Sequence, residues 1–359
     1  MNNALNSVSD IFYEDQNDIF NSLKDSWKSL KGEKIFLTGS SGFFGKWLLE
    51  SLAQANNILD LNVSAVVLTR NLNKVLFKEL INNPSIEFYK GDIRDFKFPT
   101  GDFKYIIHGA TTSAFETYNN QDPLVKHDII TNGTRRVLEF AKLTNCNNFL
   151  YLSSASAYGR QLMNKSKLSE ELNTAPLTND KNFDFSVLGE SKRIAELFTT
   201  IYSQKHNINT SIARCFSFVG PFIPINIHYA IGNFIRDALI KKDITINGSG
   251  NSYRSYMYMT DLTIWLWTIL FQGTNCEIYN VGSDEEINIK DLANRIKKIL
   301  NTNINITIND DSNSIDTRYI PDISKIRKNL NLNISINLNK SITRTIDHIK
   351  QNRSFYNFD

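Results

Sequence analysis

The stretch that decides the fold is Lys34–Gly45, which reads KIFLTGSSGFFG. Its first part, Lys34–Thr38, predicts a buried β-strand, and the pattern after the stretch predicts a helix. Three glycines, Gly39, Gly42 and Gly45, lie between the two elements. In such a unit, glycines permit a sharp turn, close approach of the backbone to a pyrophosphate, and close packing of helix on strand. Free N–H groups at the start of the helix would bind the phosphates. The stretch therefore predicts a dinucleotide site.

Short apolar strands alternate with helical segments on the C-terminal side of this unit. Such alternation predicts a parallel sheet covered by helices on both faces, which is a doubly wound, Rossmann-type α/β fold. The predicted strands are Lys34–Thr38, Ser64–Thr69, Ile86–Tyr89, Tyr105–His108, Asn148–Ser153 and Thr210–Arg214. The predicted helices are Gly45–Ala55, Val125–Leu143 and Gly189–Lys205.

The chain divides into three predicted parts. Residues 1–31 carry apolar side chains at roughly helical spacing, which predicts an N-terminal helical extension. Residues 32–221 form the predicted dinucleotide-binding domain. Residues 222–359 are more irregular and are interpreted mostly as a smaller C-terminal substrate-binding lobe, although segment 256–283 is expected to return to the first domain. In this lobe the pattern predicts a strand at Ile244–Ile246 and helices at Ile231–Lys241, Lys290–Leu300 and Ser324–Leu330.

Composition excludes several classes of protein. The 359 residues carry 40 basic and 37 acidic side chains, mixed along the chain, which indicates neither nucleic-acid nor membrane binding. Cys146, Cys215 and Cys276 are far apart and have no metal-ligand spacing, so neither a metal site nor a disulfide framework is predicted. No apolar run approaches the ~20 residues of a membrane span, and the N-terminus is unlike a secretory signal. We expect a cytoplasmic protein.

The GxxGxxG spacing resembles that of the extended short-chain dehydrogenases/reductases, in particular the NAD-dependent nucleotide-sugar epimerase/dehydratase family. The resemblance continues over nearly the whole chain after residue 33. It is carried by Gly91–Asp95 (GDIRD), His108–Ala110 (HGA), Asn132–Thr134 (NGT) and Leu152–Gly159 (LSSASAYG). It implies NAD or NADP as the cofactor, bound by Gly39, Ser41, Gly42, Phe43, Phe44, Gly45, Arg70, Asp92, Ile93, His108, Gly109, Ala110 and Lys192.

The end of the second strand bears on the choice between NAD and NADP. A carboxylate there would bind the ribose diol and repel a 2′-phosphate. This chain has Thr69 at that position, followed by Arg70. Arg70 could pair with a 2′-phosphate, or it could lie over the adenine or face solvent. The sequence leaves both cofactors open.

The catalytic residues that the resemblance implies are incomplete. In this family a Ser or Thr, a Tyr and a Lys act together: the Lys lowers the pKa of the Tyr, which exchanges a proton with the substrate while hydride moves to or from the cofactor. By position, Ser154 is the hydroxyl residue and Lys192 is the lysine. The Tyr belongs four residues before the lysine, where this chain has Leu188.

Three explanations of Leu188 remain open. The acid/base work could lie with another group, such as Ser154, Tyr158 or His228. The sequence could instead be a Tyr→Leu variant made to trap a ligand, or the protein could bind a nucleotide sugar without converting it. Because Ser154 and Lys192 are both retained, we favour an enzyme over a pure binding protein.

The resemblance also indicates the reaction and the substrate. Family dehydratases carry carboxylates just after the hydroxyl residue, where this chain has Ala155 and Ser156. This favours an epimerase or 4-keto reductase acting through a 4-keto intermediate, with a 4,6-dehydratase as the alternative and surface polysaccharide as the expected destination of the sugar. The implied substrate-binding residues are Ser156, Ser217, Arg254 and Arg318, the two arginines on the diphosphate. A homodimer through the Val125–Leu143 and Gly189–Lys205 helices is also expected.

Overall fold

The computed structural model describes residues 10–75, 77–112, 116, 122–180, 183–227, 229–309 and 315–358. Its helices are α1 (Asp10–Ser22), α2 (Phe43–Leu59), α3 (Lys78–Ile81), α4 (Pro123–Leu143), α5 (Phe183–His206), α6 (Ala230–Leu239), α7 (Met259–Gln272), α8 (Ile289–Ile299), α9 (Ser324–Leu330) and α10 (Leu338–Gln351). Its strands are β1 (Lys34–Thr38), β2 (Ser64–Thr69), β3 (Ile86–Lys90), β4 (Tyr105–His108), β5 (Asn148–Ser154), β6 (Asn209–Cys215), β7 (Phe218–Val219), β8 (Ile244–Asn247), β9 (Tyr253–Ser255), β10 (Met257–Tyr258), β11 (Glu277–Val281), β12 (Glu286–Asn288), β13 (Ile306–Asn309) and β14 (Arg318–Tyr319).

The main sheet has seven strands in the order β11-β6-β5-β4-β1-β2-β3, and every neighbouring pair is parallel. Helices cover both faces, so the predicted doubly wound Rossmann-type fold is confirmed. The strand order reverses at β1, which pairs with β2 on one side and β4 on the other. In open α/β sheets the ligand crevice lies beyond the carboxyl ends of the strands at such a reversal.

The structure corrects several predicted boundaries and adds elements that were not predicted. Helix α2 begins at Phe43 rather than at Gly45, and α5 begins at Phe183, one and a half turns before the predicted start. Strand β11, which pairs with β6 at one edge of the sheet, was not predicted as a strand. Helix α10 was not predicted at all, because its four spaced apolar residues stand in a mainly polar sequence.

The N-terminal helix α1 packs on the sheet domain and on the C-terminal helix. The Phe12 ring meets the Trp47 ring edge-on at 4.9 Å. Asp15 is buried, accepts a hydrogen bond from Tyr258 at 2.7 Å and pairs with Arg344 of α10 at 2.8 Å. Burial raises the pKa of this carboxyl to about 6.

The smaller lobe has an apolar core of its own. Its buried residues include Ile235, Ile244, Leu292, Ile296 and Ile346, contributed by α6, β8, α8 and α10. The short strands β8 and β13 pair in parallel beside this core. Within the described part of the chain, none of the helices combines the length and the apolar character that crossing a bilayer demands.

Candidate active site

A cleft of about 1140 Å³ lies between the carboxyl edge of the main sheet and the smaller lobe. One wall is the glycine turn, and a second wall comprises the end of β5 and one face of α5. The third wall belongs to the segment after β7 and to β9. The cleft is lined, among others, by Gly39, Ser41, Gly42, Phe43, Phe44, Arg70, Gly109, Ser154, Leu188, Lys192, Ser217, Tyr229, Arg254 and Tyr256. Most of the predicted site residues are therefore brought together here.

Glycine is required at two positions of the turn for different reasons. Gly39 has φ +75°, and a Cβ added there would lie 2.5 Å from the carbonyl carbon of Gly109. A Cβ at Gly45 would lie 2.0 Å from the carbonyl oxygen of Ser40, because α2 starts tightly against the turn. At Gly42, the residue before α2, a Cβ would meet nothing within 4 Å. Gly42 thus leaves open space in front of the free N–H groups of α2, which fits a pyrophosphate.

His108 lies beneath this turn rather than in the cleft. Its imidazole is fully buried and bonds to Thr38 Oγ1 at 2.7 Å and to Thr134 Oγ1 at 2.9 Å. Burial lowers the pKa of the ring to about 3, so the ring is neutral near pH 7. Thr134 donates its own proton to the Ile130 carbonyl, so His108 donates through Nε2 and accepts the Thr38 proton at Nδ1. The imidazole therefore holds Thr38, which is why we replace its predicted cofactor contact with a supporting role.

The far end of the cleft continues into a smaller cavity of about 80 Å³. Asp92, Ile93 and Ala110, which the resemblance implies as cofactor-binding residues, line this cavity. Arg70 lines both cavities, but it is not free: its guanidinium pairs with Glu116 at 2.8 Å. The Glu116 carboxylate was not foreseen from the sequence.

Lys192 and Leu188 lie one turn apart on α5, and both line the cleft. The Lys192 ammonium is buried and donates to the Leu152 carbonyl oxygen at 2.7 Å. Burial lowers its pKa to about 8, while Cys215 and Glu196 oppose that shift. The side chain at position 188 reaches the cleft, so a tyrosine there would be placed beside the lysine as in the family pattern. Leucine offers no proton.

The hydroxyl of Ser154 lies at the end of β5, where its oxygen accepts the Ser156 N–H at 3.1 Å. Ser156 itself is buried and does not line the cleft, so its predicted contact with substrate finds no support in the geometry. Ala155 is also fully buried. Of these three residues, Ser154 is the one that lines the cleft.

Of the groups considered as substitutes for the missing tyrosine, Tyr158 lies away from the cleft. Its hydroxyl donates to Asn280 Oδ1 at 2.8 Å, and its ring packs 4.4 Å from the Arg214 guanidinium carbon. Burial raises the pKa of its phenol to about 12. These contacts give Tyr158 a structural role. His228 lies outside the described residues.

The two predicted diphosphate arginines differ. Arg254 lines the cleft, and its guanidinium donates only to neutral oxygens, the carbonyls of Tyr253 (2.8 Å) and Thr317 (3.2 Å) and the Thr317 hydroxyl (3.2 Å). No carboxylate pairs with it among the described residues. Arg318 instead pairs with Glu286, stacks on Tyr253 and does not line the cleft. The two arginines, which the sequence analysis assigned to the same diphosphate, therefore have different surroundings in the structure.

Sequence reasoning also missed Cys215, Tyr256 and Tyr319. Cys215 and Tyr256 line the cleft, and burial raises the pKa of both groups to about 12. Tyr319 packs on Phe216, which lines the cleft, with ring centroids 5.0 Å apart. The sequence singled out its neighbour Arg318 but not Tyr319 itself.

Comparison with known proteins agrees with this geometry. UDP-glucuronic acid decarboxylase 6 of Arabidopsis thaliana is 26% identical over 298 residues, covering 82% of both chains. A dTDP-D-glucose 4,6-dehydratase of Dictyostelium discoideum is 29% identical over 291 residues, covering 76% of this chain and 62% of the other.

Solved structures show the same fold. The dTDP-glucose 4,6-dehydratase of Bacillus anthracis in complex with NAD superimposes with a TM-score of 0.75 at 21% identity, covering 90% of this chain and 98% of the other. The UDP-glucuronic acid 4-epimerase of Bacillus cereus in complex with UDP-glucuronic acid and NAD gives 0.74 at 23% identity, covering 89% and 99%.

The family model described as "NAD dependent epimerase/dehydratase family" matches residues 35–282, from β1 through the end of β11. This span contains the glycine turn, Ser154, Lys192 and Arg254. The dependence on NAD agrees with the predicted cofactor, NAD or NADP. The chain belongs to the NAD-dependent epimerase/dehydratase family.

Proposed function

We propose that this chain binds NAD in the cleft and modifies a nucleoside diphosphate sugar by hydride transfer at C4, as an epimerase or a 4-keto reductase. The observation that carries the proposal is the placement of Ser154 and Lys192 in one cleft with the glycine turn and the uncompensated Arg254. When bound, the nicotinamide supplies or accepts the hydride. The protein binds, orients and supplies protons.

Arg254 supports an anionic substrate. Removing a cation from water is costly unless an opposite charge compensates it, and the neutral oxygens around the partly buried Arg254 do so incompletely. A diphosphate matches the guanidinium fork and would complete the compensation. By contrast, Arg214 has a compensating charge, because its Nε and Nη2 groups donate to the two carboxylate oxygens of Glu196 at 2.9 and 2.6 Å.

The absence of acids beside the reaction centre favours an epimerase or reductase over a dehydratase. Among the described residues that line the cleft, the one carboxylate is Glu116, which pairs with Arg70 at the adenine end. Elimination of water needs a base for the C5 proton. The buried Ala155 and Ser156 offer none near Ser154.

The Arg70–Glu116 pair favours NAD over NADP. Glu116 neutralises the guanidinium that would otherwise bind a 2′-phosphate, and its own charge repels one. A ribose diol carries no charge and meets no such repulsion.

We further propose a homodimer through α4 and α5. Leu197 on α5 is 58% exposed and Leu143 on α4 is 65% exposed. Light scattering would show a dimer mass, and Leu197→Arg would shift it to the monomer. A monomeric starting protein would overturn the assignment.

A second candidate, a catalytically silent nucleotide-sugar-binding protein, is favoured by Leu188. An inactivated Tyr→Leu variant would also bind the nucleotide sugar without converting it. The test is incubation with NAD or NADH and UDP-, dTDP-, CDP- or GDP-sugars, including 4-keto forms, read by mass spectrometry and NMR. We expect epimerisation at unchanged mass or gain of two hydrogens. Loss of water would indicate a dehydratase, and tight binding without conversion would indicate the silent protein.

A further inference from the structure

We propose that helix α1 and the C-terminal residues 352–358 position one wall of the cleft by holding Phe222, and so set the affinity for the nucleotide sugar. This inference rests on the proposed function. Both α1 and the C-terminal residues lie outside residues 35–282, the span that the family model matches. The wall segment is defined as residues 223–227 and 229–231, and its members that line the cleft are Ile223, Pro224, Ile227, Tyr229, Ala230 and Ile231.

Phe222 directly precedes the wall segment and has a backbone conformation that favours glycine. It belongs to the turn Gly220–Pro221–Phe222–Ile223, in which the Ile223 N–H donates to the Gly220 carbonyl oxygen at 3.2 Å. Its φ is +70°. Proline at the second position and a positive φ at the third are features of a type II turn, whose third residue is usually glycine or asparagine. A bulky side chain is strained there, so other contacts must offset the strain.

The ring of Phe222 makes such contacts with three separate parts of the chain. Phe12 of α1 packs edge-on against it with ring centroids 4.9 Å apart. The rings of His348 on α10 and of Phe355 have their centroids 4.5 and 5.1 Å from that of Phe222. The Lys46 ammonium of α2 lies 5.1 Å from the ring centroid. Aromatic and cation–π contacts of this kind are favourable, and together they hold the ring.

The backbone of Phe222 is held by Tyr356. The Phe222 N–H donates to the Tyr356 hydroxyl oxygen at 2.8 Å, and this hydroxyl donates to His348 Nδ1 at 2.9 Å. Burial, aided by the Lys46 charge, lowers the pKa of the His348 ring to about 3, so the ring is neutral near pH 7 and can accept. Without the Tyr356 hydroxyl, the Phe222 N–H would lose this partner, which favours a different turn.

Helix α1 is fixed to the body of the protein by further contacts. Asp15, one turn after Phe12 on the same face of α1, pairs with Arg344 of α10 at 2.8 Å. Phe12 also packs on Trp47, whose indole N–H donates to the Pro221 carbonyl oxygen at 3.2 Å. A helix fixed in this way can restrain the turn that its ring contacts.

Restraint of the wall segment before the ligand arrives favours binding. Residues 223–227 and 229 belong to neither a helix nor a strand. Ordering such a segment on binding would cost conformational entropy, and holding Phe222 in advance reduces this cost. The glycine turn belongs to a different wall of the cleft. We therefore expect the affinity for the nucleotide sugar, and not that for NAD, to depend on the contacts of Phe222.

The main variant is Tyr356→Phe, with Tyr279→Phe as the matched control. Tyr279 is also buried, and its hydroxyl oxygen accepts the Thr274 N–H at 3.1 Å, but Tyr279 does not line the cleft. In calorimetric titrations, Tyr356→Phe should bind UDP and dTDP about tenfold more weakly and NAD within about threefold of the wild type. Tyr279→Phe should bind all of these ligands like the wild type. An unchanged affinity of Tyr356→Phe for UDP and dTDP, or an equal loss for NAD, would overturn the proposal.

Phe12→Ala tests the contribution of α1, with Trp27→Ala as its control. Trp27 is buried in the same N-terminal extension but packs on Trp267, with ring centroids 4.9 Å apart. Both variants should melt at a lower temperature, but Phe12→Ala alone should weaken UDP binding, by about fivefold. Combined with Tyr356→Phe, it should cost less binding free energy than the sum of the separate losses, because both act through Phe222. Additive losses, or an equal loss in Trp27→Ala, would contradict the proposal.

Hydrogen exchange tests the restraint of the wall segment without a ligand. Peptides that cover residues 220–227 should exchange about tenfold faster in Tyr356→Phe than in the wild type. The same peptides should be unaffected in Tyr279→Phe. Unchanged exchange in Tyr356→Phe contradicts the proposal whatever the nucleotide affinity. If the wild type binds neither UDP nor dTDP while exchange still responds to Tyr356→Phe, the restraint is supported and the proposed function is contradicted instead.

Discussion

The buried ammonium of Lys192 donates a 2.7 Å hydrogen bond to the carbonyl oxygen of Leu152. This bond connects helix α5 to strand β5 of the main sheet. Lys192 lines the cleft, and among the described residues no carboxylate forms an ion pair with its ammonium. Burial consequently lowers its pKa to about 8 from an ordinary value of 10.5. The arrangement suits a group that will hold the hydroxyls of a ribose.

This lowered pKa makes stability depend on pH. Between the folded and unfolded pKa values the unfolded chain binds more protons, so the folded state gains stability as pH rises through that window. Relative to Lys192→Met, we expect the wild-type protein to gain on the order of 2 kcal/mol from about pH 7 to about pH 9.5. Urea unfolding at both pH values measures the difference. Lys205→Met, an exposed position on the same helix, should show none, and a flat difference for Lys192→Met would contradict the assignment.

Two glycine substitutions separate folding from cofactor binding. Gly45→Ala places a methyl 2.0 Å from the Ser40 carbonyl oxygen, so we expect a lower melting temperature. Gly42→Ala meets no atom within 4 Å and should melt like the wild type. Its methyl should nevertheless obstruct the pyrophosphate and weaken NAD binding by at least about tenfold. Calorimetric titration with NAD decides the matter, and wild-type affinity in Gly42→Ala would place the dinucleotide elsewhere.

The Arg70–Glu116 pair predicts how cofactor preference can be changed. Glu116→Gln frees the guanidinium for a 2′-phosphate and removes the repelling charge, so NADP should gain roughly tenfold in affinity over NAD. The gain should vanish in the Arg70→Gln, Glu116→Gln double variant. Glu190→Gln, on α5, serves as the control. The preference is measured as the ratio of the two dissociation constants, and an unaltered ratio in Glu116→Gln would disprove the role of the pair.

Arg254 and Arg318 should contribute unequally to nucleotide binding. Arg254→Gln removes the uncompensated guanidinium from the cleft, and we expect UDP and dTDP to bind about 10–100-fold more weakly. Arg254→Lys should recover part of this loss, since a single ammonium keeps the charge without the fork. Arg318→Gln should have a smaller effect because Glu286 already pairs with Arg318. A larger effect at Arg318 would reverse the assignment.

Leu188→Tyr should restore proton abstraction. A tyrosine at this position lies one turn before Lys192, whose charge lowers the phenol pKa and favours the phenolate. We expect oxidation of a 4-hydroxy nucleotide sugar by NAD to rise about a hundredfold or more. Leu188→Phe is the control for side-chain size, and equal rates in the Tyr and Phe variants would argue against this account.

Much of the nucleotide site was predictable because it depends on local sequence. The turn between β1 and α2 needs glycines at fixed offsets, and these are visible without any tertiary information. Asp92 and Ile93, which the resemblance implied as cofactor-binding residues, line the smaller cavity. His108 was misjudged because its motif marks the end of β4, whereas the direction of its ring depends on Thr38 and Thr134, which lie far away in the sequence.

The ion pairs that bear on chemistry were not predictable either, because they also join residues far apart in the sequence. The sequence implied the same diphosphate role for Arg318 and Arg254. In the structure, only Arg318 pairs with a carboxylate, that of Glu286. Glu116 acquires its importance only through Arg70, which lies 46 positions away in the sequence.

The sequence by itself determined the strand–turn–helix unit, the parallel sheet, the family and the absence of tyrosine at position 188, since these follow from local patterns of apolar residues and glycines. The tertiary structure decided which arginine remains uncompensated and which charge faces Arg70. Pairing and burial are properties of side chains that only folding brings together, and they set the charge and the proton affinity of each group in the cleft.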